Sequence, residues 1–348
     1  MRRTQKQKTR KAKGGKFIYS GAYGCTFSPA LKCVGQNTRK NKYISKLINY
    51  NEAQKEWVAA DRVRGLNKGF KYFVYPDEYC RPDKPNATNE YGKCPLPFKD
   101  PVLLHLPHGG VDLLHINVPF SEIPAFFEGF LNIFDGLALL HTNNVAHRDI
   151  KIPNIVGQKL NSGAYNLRLI DFGLSRPFPH LIKFPKTDNY AYWSYDMRYL
   201  LDTFSPSKGD IDDFISTMDY LDFPKWIYMD DKGQHILNLK FGLNLMKQIS
   251  DGGDAAKLHM IAESEVFALG RTLSDAFVLH VGYISMTSTS VVKMDMTKPD
   301  VEPALGLAFY ALIQKMCAPD PFQRISLMEA KAGFEALIPL FKTSFKGP

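Results

Sequence analysis

One short polar run constrains the fold of this chain more than any other feature: residues 147–155 read HRDIKIPNI. An apolar helical pattern at 121–141 precedes the run, and two strand patterns, NIVGQ and LRLID, follow it around a turn at 161–163. Charged residues gathered between a buried helix and two apolar strands are either a solvated turn or a set of reactive groups. Partners elsewhere in the chain decide between the two.

Strand and helix patterns are separated along the chain. Strand patterns come first, with one helix among them, and long apolar helices come later. The predicted strands are 17–28 (two strands around a glycine turn), 42–48, 71–76 and 101–106, and the predicted helices are 51–66, 121–141, 265–280 and 304–316. This segregation predicts an α+β fold with two lobes and a boundary near 107–112.

Charge and hydropathy restrict the class of protein. No stretch of about 18 uncharged apolar residues occurs, so we expect no membrane span, and no apolar core follows the basic N-terminus, so we expect no secretory signal. Residues 1–16 hold eight Lys or Arg and no acid, whereas the rest of the chain carries 36 basic and 35 acidic residues. This basic tail either stays solvated or binds nucleic acid, an anionic membrane or an acidic partner, and composition does not choose among these.

The cysteines indicate a reducing compartment. Their number is odd and none form a CxxC pair, which argues against both a zinc ribbon and a secreted disulfide framework. The five are Cys25, Cys33, Cys80, Cys94 and Cys317. We therefore expect reduced thiols and an intracellular location, cytoplasmic or nuclear.

The polar run has a specific successor. Asn154 follows Asp149 by five residues, and Asp171, in a DFG triplet after the apolar strand LRLI, follows Asn154 by seventeen. This order resembles the catalytic loop and metal-binding turn of eukaryotic-type protein kinases. The resemblance implies a two-lobed kinase-like fold, with a small β-rich N-lobe and a larger, mainly helical C-lobe. It divides the chain into a tail at 1–16, an N-lobe at 17–106, a C-lobe at 107–340 with an insert at about 197–262, and a tail at 341–348.

The resemblance also implies roles in phosphoryl transfer, where a protein mainly holds phosphates and metal and places the acceptor hydroxyl. Asp149 would orient the hydroxyl of the substrate and accept its proton. Asn154 and Asp171 would hold Mg²⁺, and Lys151 would neutralise the transferred phosphoryl group. The position of Lys151 resembles the serine/threonine branch. Arg148 would pair with a phosphate on the activation segment.

The first half of the chain supplies a matching nucleotide site. Glycines in SGAYGCTF let the backbone approach phosphates closely, and Lys46 in YISKLI takes the place of the lysine that grips the α- and β-phosphates. Glu56 is the expected partner of Lys46, and Glu52, one turn away, is the alternative. The resemblance implies nucleotide contacts at Gly21, Ala22, Tyr23, Gly24, Thr26, Lys46, Leu104 and Val156.

Some positions depart from the kinase pattern. Tyr19 stands where the first loop glycine is expected, Thr26 where a valine lies over adenine, and Ile44 where a small residue is usual. Pro107 takes the place of a residue whose backbone N–H bonds adenine, and proline has no N–H. The hinge register around Gly109, Gly110 and Val111 therefore stays open.

Later elements fit the same resemblance. Arg324 in CAPDPFQRIS corresponds to a buried arginine, and Asp196 is its expected partner because SYD replaces the usual APE. Glu265, five residues before Gly270, stands in place of an aspartate on the central helix. The 68 residues between Asp196 and Glu265 are a long insert, either a helical decoration or a docking element.

A local pattern narrows the resemblance further. The basic start running into KGGKF, then GAYGCTFSPALKC and YISKL, resembles the divergent protein kinases of nucleocytoplasmic large DNA viruses. The sequence therefore predicts a serine/threonine protein kinase that uses ATP and Mg²⁺ on protein substrates in an infected host cell or virion.

Three other functions compete with that prediction. The departures at Tyr19, Ile44 and Pro107 favour a pseudokinase that binds nucleotide or acts as a scaffold. A small-molecule phosphotransferase of similar fold is a second alternative, opposed by Lys151 and Arg324. A nucleic-acid-binding protein acting through residues 1–16 is the third.

Overall fold

The computed structural model describes residues 15–21, 23–36, 42–66, 70–83, 91–185, 192–200, 204–220, 236–281, 283–287, 290–295 and 303–345. The chain divides into two compact units, Met1–Ala60 with Tyr75–His108, and Asp61–Val74 with Gly109–Pro348. The first is rich in strands and the second mainly helical, which confirms the predicted α+β fold. Most of the basic tail, Ala22 and parts of the 197–262 insert lie outside the described residues.

One antiparallel sheet of five strands forms the first unit, in the order β1-β2-β3-β5-β4. Its strands are β1 (Lys16–Ser20), β2 (Gly24–Ser28), β3 (Tyr43–Asn49), β4 (Glu78–Cys80) and β5 (Pro101–Pro107). Side chains of three strands and of the segment after β2 make a buried cluster of Cys25, Phe27, Leu31, Leu47 and Leu103. Helix α1 (Tyr50–Arg64) contacts this sheet where the Trp57 ring meets Tyr79, 6.0 Å between centroids.

Three small sheets, one of them the β11-β12 pair, and a set of helices form the described part of the second unit. Its strands are β6 (Val111–Asp112), β7 (Val145–Ala146), β8 (Ile155–Lys159), β9 (Tyr165–Leu169), β10 (Arg176–Pro177), β11 (Tyr283–Thr287) and β12 (Ser290–Asp295). Its helices are α2 (Ile123–Glu128), α3 (Leu131–Thr142), α4 (Phe178–Lys183), α5 (Lys208–Tyr220), α6 (Leu239–His280), α7 (Pro303–Met316) and α8 (Leu327–Ser344). The order β6-β8-β9 forms one antiparallel sheet, and β7 pairs with β10.

Stacked phenylalanines fill the core of the second unit. Phe127 of α2 stacks on Phe341 of α8 at 4.5 Å between ring centroids, and Phe277 of α6 stacks on Phe309 of α7 at 4.4 Å. Offset aromatic pairs add about 0.5–1.5 kcal/mol each beyond their burial. Because Phe341 is fully buried, residue 341 belongs to the core, and the prediction of a tail beginning there is wrong.

Two secondary-structure predictions need correction. Residues 71–76 form no strand: only Phe73 makes an isolated bridge, to Leu169 of β9, and the edge strand is β4 instead. The predicted helix at 121–141 is divided into α2 and α3, with a 3₁₀ turn at Phe120–Glu122 ahead of them. A Cβ on Gly129, between the helices, would lie 2.8 Å from the Tyr165 carbonyl oxygen, so close packing on β9 accompanies the break.

The segment Phe120–Thr142 is long and apolar enough to cross a membrane by composition alone. Over half of it is buried inside the second unit. Phe126, Phe127, Phe130 and Phe134 are all fully buried there, so these rings form the core of that unit.

The cysteine prediction is wrong for four of the five residues. Cys25 is bridged to Cys94 and Cys33 to Cys80, both within the first unit. The bridges join segments 69 and 47 residues apart, a proximity that local spacing cannot reveal. Cys317 is a free, buried thiol, and burial raises its pKa to about 12.

A buried ion pair joins Asp196 to Arg324, which lies between α7 and α8 of the second unit. The Arg324 guanidinium donates to Asp196 Oδ1 at 2.9 Å, and both side chains are fully inaccessible to solvent. Arg324 also donates to the Ala318 carbonyl oxygen through Nε and Nη2. The structure therefore makes the pair that the sequence predicted.

Replacing Arg324 with methionine should lower the free energy of unfolding of the second unit by about 3–5 kcal/mol, because it leaves the Asp196 charge buried without its cation. Urea unfolding followed by near-ultraviolet circular dichroism measures the change. The double variant Asp196→Asn, Arg324→Met should recover part of the loss. Equal losses in the single and double variants would contradict the ion-pair explanation.

Glu263 gives the second unit a pH-dependent stability. Burial raises the pKa of its carboxyl to about 7, against the opposing effect of the Arg324 charge. Within the described residues its Oε2 atom has no hydrogen-bond partner. Since the folded protein binds this proton more tightly than the unfolded chain does, the stabilisation is present at low pH and is lost as pH rises through 7.

Glu263→Gln should therefore stabilise the protein above pH 8 by up to about 3 kcal/mol and change it little at pH 5. Thermal unfolding of both proteins between pH 5 and pH 9 measures the difference. An unchanged dependence of the melting temperature on pH in the variant would rule out Glu263 as its source.

Candidate active site

The polar run forms a fixed loop between β7 and β8. Lys151 Nζ lies 2.9 Å from Asp149 Oδ1, and Asn154 Nδ2 donates to Asp149 Oδ2 at 2.7 Å. Asp149 is only 7% exposed. Each carboxylate oxygen of Asp149 thus has a donor, which holds the group in one orientation.

His147 connects this loop to the strand that ends before Asp171. Its Nε2 donates to the Ile170 carbonyl oxygen at 3.1 Å, and its Nδ1 accepts from the Asp149 backbone N–H at 3.2 Å. Burial lowers the pKa of His147, outweighing nearby carboxylates that include Glu265. A neutral ring protonated on Nε2 satisfies both hydrogen bonds, so His147 serves as a positioning group.

Glu265 of α6 fixes the backbone of the same loop. Its two carboxylate oxygens accept from the N–H groups of His147 and Arg148, each at 2.7 Å. Burial alone would raise the pKa of Glu265, but the His141 ring and the His147 backbone outweigh it and hold this pKa below its usual range. Glu265 thus anchors the loop from the position at which the resemblance expects an aspartate.

Arg148 is buried against an aromatic side chain. Its backbone is left-handed, with φ of 66°, and its guanidinium lies 4.2 Å from the centre of the Trp193 ring. Trp193 Nε1 donates to the Arg148 carbonyl oxygen at 2.9 Å, and Arg148 is 6% exposed. The guanidinium is therefore buried on an aromatic ring, and its pairing with a phosphate on the activation segment stays a prediction, since residues 186–191 lie outside the described part of the chain.

Asp171 stands at a strained turn. Its φ of 61° and ψ of 75° are left-handed, and its Oδ1 accepts from the Gly173 N–H at 3.3 Å. The next residue, Phe172, is buried with its ring 5.4 Å from Phe73 and 4.7 Å from His147. Non-glycine residues in this conformation cost about 1–3 kcal/mol and occur most often at functional sites.

Asn154 and Asp171 fit a divalent cation. The Ile170 N–H donates to the Asn154 carbonyl oxygen at 2.9 Å, which brings the chain before Asp171 beside Asn154. Asn154 Nδ2 donates to both the carbonyl and the carboxylate of Asp149, so its Oδ1 is the atom left to bind a cation. An amide oxygen and a carboxylate are hard ligands suited to Mg²⁺.

The charged pair of the first unit lies on β3 and α1. Lys46 Nζ donates to Glu56 Oε2 at 2.6 Å, and Lys46 pairs across the sheet with Thr26 of β2 and Leu104 of β5. Glu52 instead bonds Lys55 on the surface of α1 at 2.5 Å. The structure thereby distinguishes Glu56 from the alternative partner.

A tight turn joins β1 to β2. The Gly21 N–H donates to the Gly24 carbonyl oxygen at 2.9 Å, and Tyr23 at the tip is 67% exposed. A Cβ on Gly24 would lie 2.7 Å from the Leu47 carbonyl oxygen, so glycine is required there for packing on β3. Ala22 lies outside the described residues.

Two glycines also begin the longer segment of the second unit, Gly109–Pro348. A Cβ on Gly109 would lie 2.6 Å from a methyl group of Val156, and Gly110 has φ of 112°. Arg168 of β9 donates to the Gly109 carbonyl oxygen at 2.7 Å. In the sequence, only the glycine pair pointed to a contact at this place. The hydrogen bond from Arg168 to Gly109 was not predicted. Pro107 ends β5 opposite Tyr43.

The predicted residues fall into two groups. The first unit holds the glycine turn, Thr26, Lys46, Glu56 and Leu104. The second unit brings together Asp149, Lys151, Asn154 and Asp171 and places Val156 on β8. Each group has the internal contacts described above, and the functional roles of these residues remain predictions.

Comparisons with known proteins agree with this geometry. The family model for the protein kinase domain matches residues 111–193. Cyclin-dependent kinase 9-A of Xenopus laevis is 29% identical over 161 residues, covering 44% of this chain and 40% of that protein. Cyclin-dependent kinase C-3 of Oryza sativa subsp. japonica is 39% identical over 77 residues, 22% of each chain. Serine/threonine-protein kinase STY46 of Arabidopsis thaliana is 26% identical over 166 residues, 47% of this chain and 25% of that protein.

These matches cover less than half of this chain and of each relative. The β-rich first part and helical second part correspond to a two-lobed kinase fold. Fold and matches together support a protein kinase.

Replacing Glu265 with glutamine should loosen the loop, because an amide NH₂ would face a backbone N–H. Loss of a hydrogen bond to a charged acceptor costs about 1.5–3 kcal/mol. Amide exchange at His147 and Arg148 should therefore become roughly ten- to hundredfold faster, as measured by hydrogen–deuterium exchange. Glu265→Asp, which keeps both acceptor oxygens, is the matched control. Unchanged protection in the glutamine variant would show that other contacts hold the loop.

Proposed function

We propose that this chain is a serine/threonine protein kinase that transfers the γ-phosphate of ATP to protein hydroxyls with Mg²⁺. The observation that carries the proposal is the Asp149 carboxylate held between Lys151 and Asn154 in a buried loop. Such an arrangement suits phosphoryl transfer, where positioning and charge stabilisation supply most of the rate.

In this mechanism Asp149 orients the acceptor hydroxyl and takes its proton. The hydroxyl oxygen forms a bond to the γ-phosphorus, and the bond from that phosphorus to the bridging oxygen breaks, so that ADP leaves. Lys151 stabilises negative charge on the transferred group. Bound Mg²⁺, with Asn154 and Asp171 as its ligands, would neutralise the phosphates.

The first unit supports nucleotide binding. Lys46 Nζ lies 2.6 Å from Glu56 Oε2, and in this proposal the ammonium held there would bind the α- and β-phosphates. Gly21 and Gly24 would let the loop backbone approach the phosphates. Leu104 and Val156 would contact adenine, as the kinase resemblance implies.

We further propose that the protein acts inside a cell, in the cytoplasm or nucleus, and that it comes from a large DNA virus. The viral assignment rests on the KGGKF, GAYGCTFSPALKC and YISKL patterns alone. Protein substrates follow from the kinase proposal, and the basic tail 1–16 is the proposed contact with nucleic acid or an acidic partner.

A pseudokinase is the second candidate function. Pro107 at the end of β5 has no N–H to offer adenine, and Ile44 and Tyr19 replace smaller residues of the nucleotide site. A pseudokinase would bind ATP or a protein partner without transferring phosphate.

Transfer of labelled γ-phosphate from Mg-ATP to a generic basic protein tests the proposal. Asp149→Asn should lower the transfer rate by about 10²–10⁴-fold, because it removes the proton acceptor while keeping the shape of the side chain. Phosphoamino-acid analysis should find the label on serine or threonine. ATP binding by wild type without transfer, also in host-cell extract, would favour the pseudokinase.

Two variants of α1 distinguish loss of the Lys46–Glu56 contact from the general effect of removing one negative charge from this helix. Glu56→Gln should reduce transfer by roughly ten- to hundredfold, since Lys46 loses its charged partner. Glu52→Gln, one turn away, should leave transfer near the wild-type rate. Equal effects of the two substitutions would show that the Lys46–Glu56 contact is not required.

A further inference from the structure

Three side chains that no step of the proposed mechanism uses converge in the first unit. They are Cys33, before β3, Cys80 at the end of β4, and His105 in β5. One ligand atom from each lies within 4.8 Å of the others, and Cys33 Sγ is 3.8 Å from His105 Nε2. Within the part of the chain that the structure describes, this is the one such cluster of three metal-binding side chains.

The imidazole of His105 is oriented from behind. Its Nδ1 lies 2.8 Å from Glu78 Oε2, and Gln36 Nε2 donates to the other oxygen of Glu78 at 2.8 Å. The opposite nitrogen, Nε2, faces Cys33 Sγ and the Leu31 carbonyl oxygen, which is 2.9 Å away. A carboxylate that holds one ring nitrogen while the other points at a binding position is the usual arrangement around metal-ligating histidines.

The other disulfide of the first unit, Cys25–Cys94, provides an internal comparison. Cys25 is packed in the apolar cluster with Phe27, Leu31, Leu47 and Leu103. Among the described residues, no metal-binding cluster is found around Cys25 and Cys94. The same unit therefore contains one bridge with an apolar setting and one beside an oriented imidazole and a carboxylate.

We propose that Cys33, Cys80 and His105 form a zinc site when the Cys33–Cys80 disulfide is reduced. A dithiol reductant transfers two electrons and two protons to the bridge, whose S–S bond breaks to give two thiols while the reductant becomes a disulfide. Zn²⁺ then displaces the two thiol protons and binds both thiolates. Nε2 of His105 gives up its hydrogen bond to the Leu31 carbonyl oxygen, releases its proton and supplies the third ligand, while Nδ1 keeps the ring proton toward Glu78.

The ligand chemistry selects zinc over Mg²⁺ or Ca²⁺. Thiolate sulfur and imidazole nitrogen suit Zn²⁺, with Zn–S near 2.3 Å and Zn–N near 2.0 Å. In a tetrahedral site the two sulfurs stand about 3.8 Å apart, so reduction lets them separate to ligate one ion. A water molecule or the Leu31 carbonyl oxygen completes the four ligands. Cys80 is partly exposed, which gives the ion access.

Metal titration of the full chain tests the site. One sample is left oxidised and another is reduced with a phosphine that is then removed, and each is titrated with Zn²⁺ alone. Native mass spectrometry should find one tightly bound Zn²⁺ in the reduced protein and none in the oxidised protein. Co²⁺ should give the charge-transfer absorption of thiolate ligands. Failure of the reduced protein to bind Zn²⁺ would overturn the proposal.

Two variants, each lacking one proposed ligand, test where the ion binds. Cys33→Ser and His105→Asn should each weaken Zn²⁺ binding by at least about 100-fold, because each removes one ligand. The control Cys25→Ser, Cys94→Ser removes the other bridge and should keep wild-type affinity. If only the control lost Zn²⁺ binding, the metal would be bound by Cys25 and Cys94, and the proposal would be wrong.

Alkylation of the wild-type protein avoids any dependence on variant folding. In the reduced protein, Zn²⁺ should protect Cys33 and Cys80 from iodoacetamide and leave Cys94 reactive, as read by peptide mass spectrometry. Bound Zn²⁺ with Cys33 and Cys80 still reactive would contradict the assignment. This outcome is independent of kinase activity, so it does not test the proposed function.

Discussion

The buried carboxylate of Glu265 is the contact on which the candidate catalytic loop depends. A charge at 2% exposure is strongly unfavourable unless donors compensate for the lost water. Here the donors include the backbone N–H groups of His147 and Arg148. Satisfying the charge therefore requires one backbone conformation of the loop. Glu265 of α6 thus constrains the backbone next to Asp149, in addition to the contacts that the Asp149 side chain makes with Lys151 and Asn154.

Left-handed backbone occurs at Arg148, directly before the candidate catalytic Asp149, and at Asp171, one of the two candidate metal ligands. Each conformation is unfavourable for a residue with a Cβ, so surrounding contacts must hold it. Trp193 covers Arg148 with a hydrogen bond and a ring face, and Phe172 anchors the chain after Asp171. The strain is concentrated where the candidate reacting groups are placed.

The sequence predicted those parts of the site in which a charged residue has a fixed place in a motif. The pairs Lys46–Glu56 and Arg324–Asp196 could be predicted for this reason. The two strands that follow the polar run were also predicted. The ring over Arg148 and the two disulfides were not, because Trp193 and the cysteines have no fixed place in such a motif. The prediction of a strand at 71–76 is wrong because an apolar run carries no information on whether its backbone pairs with a strand.

The Lys46–Glu56 pair bears on the choice between a kinase and a pseudokinase. Lys46 and Glu56 side chains are only 23% and 9% exposed, so both charges lose hydration on folding. Such pairs contribute little net stability, and apolar residues of similar volume often replace them without loss. Stability alone therefore gives a weak account of two charges held 2.6 Å apart on β3 and α1. The proposed binding of a polyphosphate would supply that reason, because an ammonium fixed by a carboxylate is positioned for an anion before that anion arrives.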